Sequence, residues 1–222
     1  MPSDPLPVYP WLMEQLPAGD QQLVQIMDAA LADAARRSGD WLACRPGCTQ
    51  CCHGAFAINA LDALRLRTGM RALHAADHLR AEAIEGRART WIVEHGAAFP
   101  GDLATGLLGM SDEDQASFEE FANEAACPAL NPATGLCDVY EWRPMTCRVF
   151  GPPTRMGDGD ALGCCELCFI GATEAEIAAS EMAVPRDEEE RLLAEIASTA
   201  KPDQHAEASD GRDTVVALAL LR

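Results

Sequence analysis

Leu23, Ile26, Met27, Ala30, Leu31 and Ala34 fall at three- and four-residue intervals, an apolar stripe at helical spacing. The stripe predicts a helix capped by Asp20, running to about Arg37 and ended by Gly39. A second helical pattern follows Asn59, which forms a capping signal with Asp62 three residues on. It continues, with a break near Gly69, to about His95, and its buried positions are Leu61, Leu64, Leu73, Ile84, Trp91 and Ile92. Ser111 with Asp114 opens a helix with an acidic first turn that reaches about Ala126 and buries Phe118 and Phe121. Thr173 with Glu176 opens another, and Pro185 followed by the acidic run 187–190 opens the last, to about Thr199.

The pattern changes between these helices. Pro46 and Gly47 forbid a continuous helix over 44–52, which therefore reads as a loop or single turn, with 54–58 extended after it. Residues 96–110 are glycine-rich and read as a loop. Residues 127–130 and 136–140 flank an Asn-Pro-Ala-Thr-Gly turn and predict a small β-hairpin. Residues 143–150 predict a short helix starting at Pro144. A Gly/Pro/Asp loop covers 151–163, and its Gly157-Asp-Gly-Asp160 turn is too brief for a calcium loop. The first ten residues carry four prolines and read as an extended arm, 201–213 as a polar linker, and 214–221 as an apolar tail that must pack on its own core or on a neighbour.

Composition narrows the class. Hydrophobic residues make up 48% of the 222 positions but aromatics only 5%, and abundant alanine suits close-packed helices. The expected fold is mainly α with a small β-hairpin. It is a single compact cysteine-rich metal-binding domain over 1–200, with its cysteine core at 44–168 and flanking helices, followed by the linker and tail over 201–222. With 17 basic against 35 acidic side chains the net charge is -18, a surface that repels phosphate backbones and anionic lipid, so neither nucleic acid nor membrane is expected as a partner. The N-terminus lacks the basic and apolar regions of a secretory signal, and the longest aliphatic run, 215–221, is too short to span a bilayer. These features predict a cytoplasmic protein. In a reducing compartment clustered cysteines favour metal chemistry over a disulfide framework.

The cysteines carry the chemistry. Ten of them sit in three tight groups: Cys44, Cys48, Cys51 and Cys52; then Cys127, Cys137 and Cys147 at equal intervals; then Cys164, Cys165 and Cys168. Thiolate is the protein ligand for zinc and for iron–sulfur clusters, and several sulfurs must converge to hold either. No later group has the four sulfurs that close a shell, so all three groups are expected to meet in one small region. The side chains of the adjacent Cys51 and Cys52 diverge by about 100° on a helix and about 180° on a strand. A polynuclear cluster, or two separate sites, suits such a pair better than one small ion, and the same holds for Cys164 and Cys165. Ten sulfurs also exceed the four that one zinc needs, which favours an iron–sulfur cluster over zinc. Arg143 and Arg148 flank Cys147 and are candidates to lower a cluster's negative charge, or else to pair with Glu141 or another acid. His53 reads as a side chain behind the ligands or facing solvent, and His74 with His78 as a solvated helix face.

The strings Cys44-Arg-Pro-Gly-Cys48-Thr-Gln-Cys51-Cys52, Cys127-Pro-Ala-Leu and Gly135-Leu-Cys137-Asp-Val-Tyr140-Glu-Trp-Arg143-Pro144-Met-Thr-Cys147-Arg148-Val-Phe150 resemble the CxxCxxCC cysteine-cluster family of zinc- or iron-chelating domains. The chain departs from that pattern in one place, with three residues rather than two between Cys44 and Cys48. The resemblance implies a metal-binding protein with zinc or iron as partner. Some related proteins that methylate lysines on flagellin carry a similar cluster, by analogy only.

Three functions compete on this reading. One is a cytosolic metal-binding protein holding an iron–sulfur cluster, or a zinc or iron ion, through the three cysteine groups. Another is an iron–sulfur protein-modifying enzyme, whose catalytic residues the sequence does not identify. The third is a zinc-stapled interaction module that engages a protein partner through its tail.

Overall fold

The computed structural model describes residues 15–155, 161–199 and 211–222. The proline-rich arm, the turn at 157–160 and the 201–210 part of the linker lie outside the described residues. In chain order the elements are helix α1 (Asp20–Ser38), strand β1 (Ala57–Ile58), helices α2 (Ala60–Ala76) and α3 (His78–His95), strands β2 (Gly101–Asp102) and β3 (Leu107–Leu108), helices α4 (Asp112–Glu119) and α5 (Met145–Arg148), strands β4 (Thr154–Arg155) and β5 (Leu162–Gly163), helices α6 (Glu174–Ala179) and α7 (Arg186–Thr199), strand β6 (Thr214–Val215) and helix α8 (Val216–Ala219). The fold is mainly α. Its sheets, among the described residues, are three antiparallel pairs: β1–β6, β2–β3 and β4–β5.

Several helix boundaries follow from the capping chemistry. Gly39, at φ +51°, ends α1. The Asn59 side chain accepts the Asp62 N–H at 3.0 Å and starts α2. Reciprocal capping boxes open α4 at Ser111 with Asp114 and α6 at Thr173 with Glu176. Asp20 does not cap α1, because Gly19 holds that position. Asp20 is instead buried against Arg65, whose Nε donates to Oδ1 at 3.1 Å.

The long helical stretch after Asn59 breaks at Asp77, not at Gly69. Asp77 adopts a non-helical conformation and accepts the Arg80 N–H, which restarts the helix as α3. Gly69 lies inside α2, where a Cβ would collide with the Trp142 side chain. Helix α4 stops at Glu119, well short of Ala126. The chain then turns, with Ala122 at φ +52°, and Phe121 stacks edge-on against Trp91 and Phe99 at centroid distances of 5.6 and 5.9 Å. Burying that aromatic contact outweighs another helical turn.

The predicted hairpin around 131–135 is a tight turn closed by one bridge, Leu130 to Cys137, with Asp138 N–H donating to Ala129 O at 2.8 Å. The 96–110 loop contains a short hairpin of its own, β2–β3. The apolar tail does pack on this chain's core: β6 pairs with β1, and Val215, Ala217, Leu218, Ala219 and Leu220 are buried against side chains of α2, α3 and the Phe99–Phe121 contact. A separate apolar cluster joins α1, α5 and α7 through Leu23, Met27, Met145 and Leu192.

Candidate metal centre

All ten cysteines are free thiols, and they come from irregular segments fixed by the helices around them. Cys51 and Cys52 lie on a 3₁₀ turn at Gln50–Cys52, closed by Cys52 N–H to Thr49 O at 2.8 Å. The next contact joins two groups directly: Cys127 N–H donates to Cys52 O at 2.7 Å, and Gly54 N–H to Ala125 O at 2.9 Å. Cys137 sits on the far arm of the tight turn. Its neighbour Asp138 is buried and accepts from Arg80 Nε at 2.9 Å and Arg87 Nη2 at 2.7 Å, which pins this arm to α3. Cys147 lies on α5, and Asp62 of α2 accepts the Met145 N–H at 2.9 Å. Asp62 is itself held by Arg65, which opposes the upward push of burial on its carboxyl, raised to about 6.

The electrostatics show which thiols face one another. Cys51, Cys52, Cys127, Cys137 and Cys147 form one set: Cys147 and Cys52 each feel three of the others, Cys127 feels two, and Cys137 and Cys51 each feel one. Burial pushes Cys127 up to about 12 and raises Cys137 and Cys147, and neighbouring thiols add to each shift. Cys51 runs the other way, down to about 6, because the Cys52 thiol donates to it and the Arg143 guanidinium lies nearby. Cys52 is raised correspondingly, since a second thiolate beside Cys51 is strongly resisted. The two adjacent thiols thus act on each other. The 3₁₀ turn ends at Cys52 and the backbone is extended at His53, so the two thiols can approach.

Cys44, Cys48, Cys165 and Cys168 form a second set. Cys44 Sγ stands 4.0 Å from Cys168 Sγ. Burial first, then Cys168, Cys165 and Cys48, pushes Cys44 up to about 12, and Cys165 is raised by burial and by Cys168 and Cys48. Cys164 is exposed and feels Cys168 from the rim. No thiol of one set is among the leading electrostatic neighbours of the other. The three sequence groups therefore do not meet in one region as expected: the first group meets the second in one nest and the third in another. The first group is divided between them, Cys44 and Cys48 to the outer nest and Cys51 and Cys52 to the inner. That division left no mark in the spacing, because it depends on which way the chain turns between Cys48 and Cys51.

The two arginines share Asp28, which Arg143 Nη2 reaches at 4.0 Å, and differ in their other contacts. Arg148 is buried and committed to protein: it donates to Asp28 Oδ1 at 2.6 Å and to Glu141 O at 2.7 Å. Arg143 stacks over the Tyr140 ring at 4.0 Å and lies beside Cys51 and Cys137, pulling on both thiols. Its Nε is buried without a hydrogen-bond partner among the described residues. His53 is exposed, and the His74–His78 pair is 3.3 Å apart, with His74 bound to Glu85 at 2.6 Å on the helix surface. An open cleft of about 1140 Å³ between α3 and residues 120–132 is walled by Arg87, Trp91, His95 and Pro128 and reaches Cys127 of the inner nest.

Among the described residues no three His, Cys, Asp or Glu side chains are already arranged to hold a metal ion. Both observations follow from the same chemistry. Thiols with no cation between them have nothing to draw them onto a common point, and a bound cation supplies that attraction as it displaces their protons. The donor set fits a thiophilic metal: clustered sulfurs, no competing disulfide, and at the inner nest a cationic N–H donor without a partner.

A family model matches residues 43–165, under the name CxxCxxCC and the description "Putative zinc- or iron-chelating domain". No curated protein and no solved structure matches the chain.

Proposed function

Because the chain belongs to the CxxCxxCC family, with more than half its length in the matched domain, we propose that it is a cytoplasmic metal-binding protein whose inner nest holds an iron–sulfur cluster. Cys51, Cys127, Cys137 and Cys147 are the ligands on this reading. Cys52 donates to the Cys51 sulfur. Arg143, beside Cys51, would offset part of the cluster's negative charge, and its buried, unpartnered Nε–H would be open to a sulfur of the cluster. The observation that carries the reading is the convergence of five thiols beside that one unpartnered donor. A single tetrahedral ion uses four sulfurs at most and needs no such donor. When bound, such a cluster supplies one-electron chemistry or a covalent staple across the fold.

The chain's own residues do the holding. Asp62 fixes the start of the short helix that carries Cys147, and Asp138 fixes the arm that carries Cys137. The backbone bond from Cys127 to Cys52 O joins the remaining ligands. Ten free thiols suit a reducing compartment, and no helix among the described residues is long and apolar enough to cross a membrane.

Purification without oxygen tests the proposal. The protein should be brown and should contain iron and inorganic sulfide, with the colour bleaching in air. Cys147→Ser should abolish it. Colourless anaerobic protein with stoichiometric zinc in the inner nest, from cells grown with ample iron, would decide against the cluster.

A further inference from the structure

The outer nest differs from the inner one in ways that bear on what it binds. Its four sulfurs come as two short chelating turns, Cys44-x₃-Cys48 and Cys165-x₂-Cys168, and pairs at this spacing are the usual donors of structural zinc. Each turn is closed by its own backbone bond: Cys48 N–H to Arg45 O at 2.9 Å and Cys168 N–H to Cys165 O at 2.8 Å. The turns are held face to face independently of any sulfur. Phe169 N–H donates to Trp41 O at 2.9 Å, Gln50 bonds Glu166, and Cys165 N–H approaches Gly151 O at 3.3 Å. Gly151, at φ +118°, lies under the nest, and a Cβ there would stand 2.9 Å from Cys44 Sγ.

The separation of one sulfur pair across the two turns is compatible with that donor pattern. Metal–sulfur bonds of about 2.3 Å at tetrahedral angles place neighbouring ligand sulfurs about 3.8 Å apart. Cys44 and Cys168, 124 residues apart in sequence, stand at 4.0 Å. In a cuboidal cluster each thiolate binds a different iron, which holds the ligand sulfurs well beyond that distance. Cys168 also lies outside the residues matched to the family, so this nest is not simply the family's domain restated.

We propose that Cys44, Cys48, Cys165 and Cys168 form a second, independent metal site that takes one tetrahedral thiophilic ion, zinc by its chemistry. It clasps the start of the cysteine core to its end. The inference rests on the metal-binding reading above but not on the identity of the inner centre. Cys164 precedes the turn closed by Cys168 N–H to Cys165 O and is left out of the ligand set on this proposal.

Metal analysis and native mass spectrometry of full-length protein purified without oxygen test it. Wild type should carry one zinc in addition to the inner metal. Cys168→Ser should lose the zinc and keep the inner metal, Cys147→Ser should do the reverse, and Cys164→Ser should keep both. Exchange of the zinc of wild type for cobalt(II) guards against a variant that fails to fold: one equivalent should replace the zinc, leave the inner metal in place, and give the intense visible bands of tetrahedral cobalt with four thiolates. One shared metal complement lost together in Cys168→Ser and Cys147→Ser would overturn the second site, as would loss of zinc in Cys164→Ser or cobalt bound only through oxygen and nitrogen. Zinc in the outer nest of a chain whose inner nest takes up no metal would instead defeat the inner-cluster proposal and leave this one standing.

Discussion

At the scale of single residues the chemistry concentrates on Arg143. Its guanidinium is the cation beside Cys51 and Cys137, and its buried Nε–H has no partner among the described residues. Groups that hydrogen-bond metal ligands are worth about 10–100-fold in metal affinity. Arg143→Ala should therefore weaken retention of the inner metal by a factor in that range, read as the rate of loss to a chelator. Arg148→Ala should act differently, because Arg148 spends its donors on Asp28 and on backbone carbonyls. It should lower the unfolding midpoint while the metal in the folded fraction is unchanged. Equal metal loss in the two variants would contradict this division of labour. The sequence placed both arginines beside Cys147 but could not tell them apart, since Asp28, which both reach, and Cys51, which Arg143 alone influences, lie far along the chain.

At the scale of elements, two buried contacts set where the ligands stand. Asp62 is paired with Arg65 and caps the backbone of the helix bearing Cys147. Removing one partner of a buried ion pair costs about 3–5 kcal/mol. Asp62→Ala should fall near the lower end, because Arg65 keeps Asp20, and urea denaturation would measure it. A change below about 1 kcal/mol would show that the pair contributes little beyond its replacement by water. Gly69 allows Trp142 to lie on α2. Gly69→Ala should destabilise by about 1–3 kcal/mol through overpacking, even though alanine is the better helix former, and an unchanged or raised midpoint would contradict the close approach. The capping signals at Asn59, Ser111 and Thr173 were legible because they are local. Asp20 and Gly69 were misread for the opposite reason: each is decided by a distant side chain, Arg65 or Trp142, that no window of sequence contains.

At the scale of the whole molecule, helices form a frame and the cysteine segments lie across it with little regular structure of their own. The mainly α fold was legible from periodicity, and the three cysteine groups from spacing. Their division into two nests was not, because it is set by backbone contacts such as Cys127 to Cys52 and Phe169 to Trp41. Metal held by thiolates is coupled to folding in segments like these. Stripping the metal should raise hydrogen exchange over 44–52 and 127–150, while α2, α3 and the buried tail keep their protection. Unchanged exchange over 127–150 would count against a structural role for the inner metal. The central claim, that thiols of the inner nest hold a polynuclear metal centre, is tested most directly by iron X-ray absorption on protein purified without oxygen. The account predicts a first shell of sulfur alone together with short iron–iron scattering. An iron shell of oxygen and nitrogen, or iron without an iron neighbour, would contradict it.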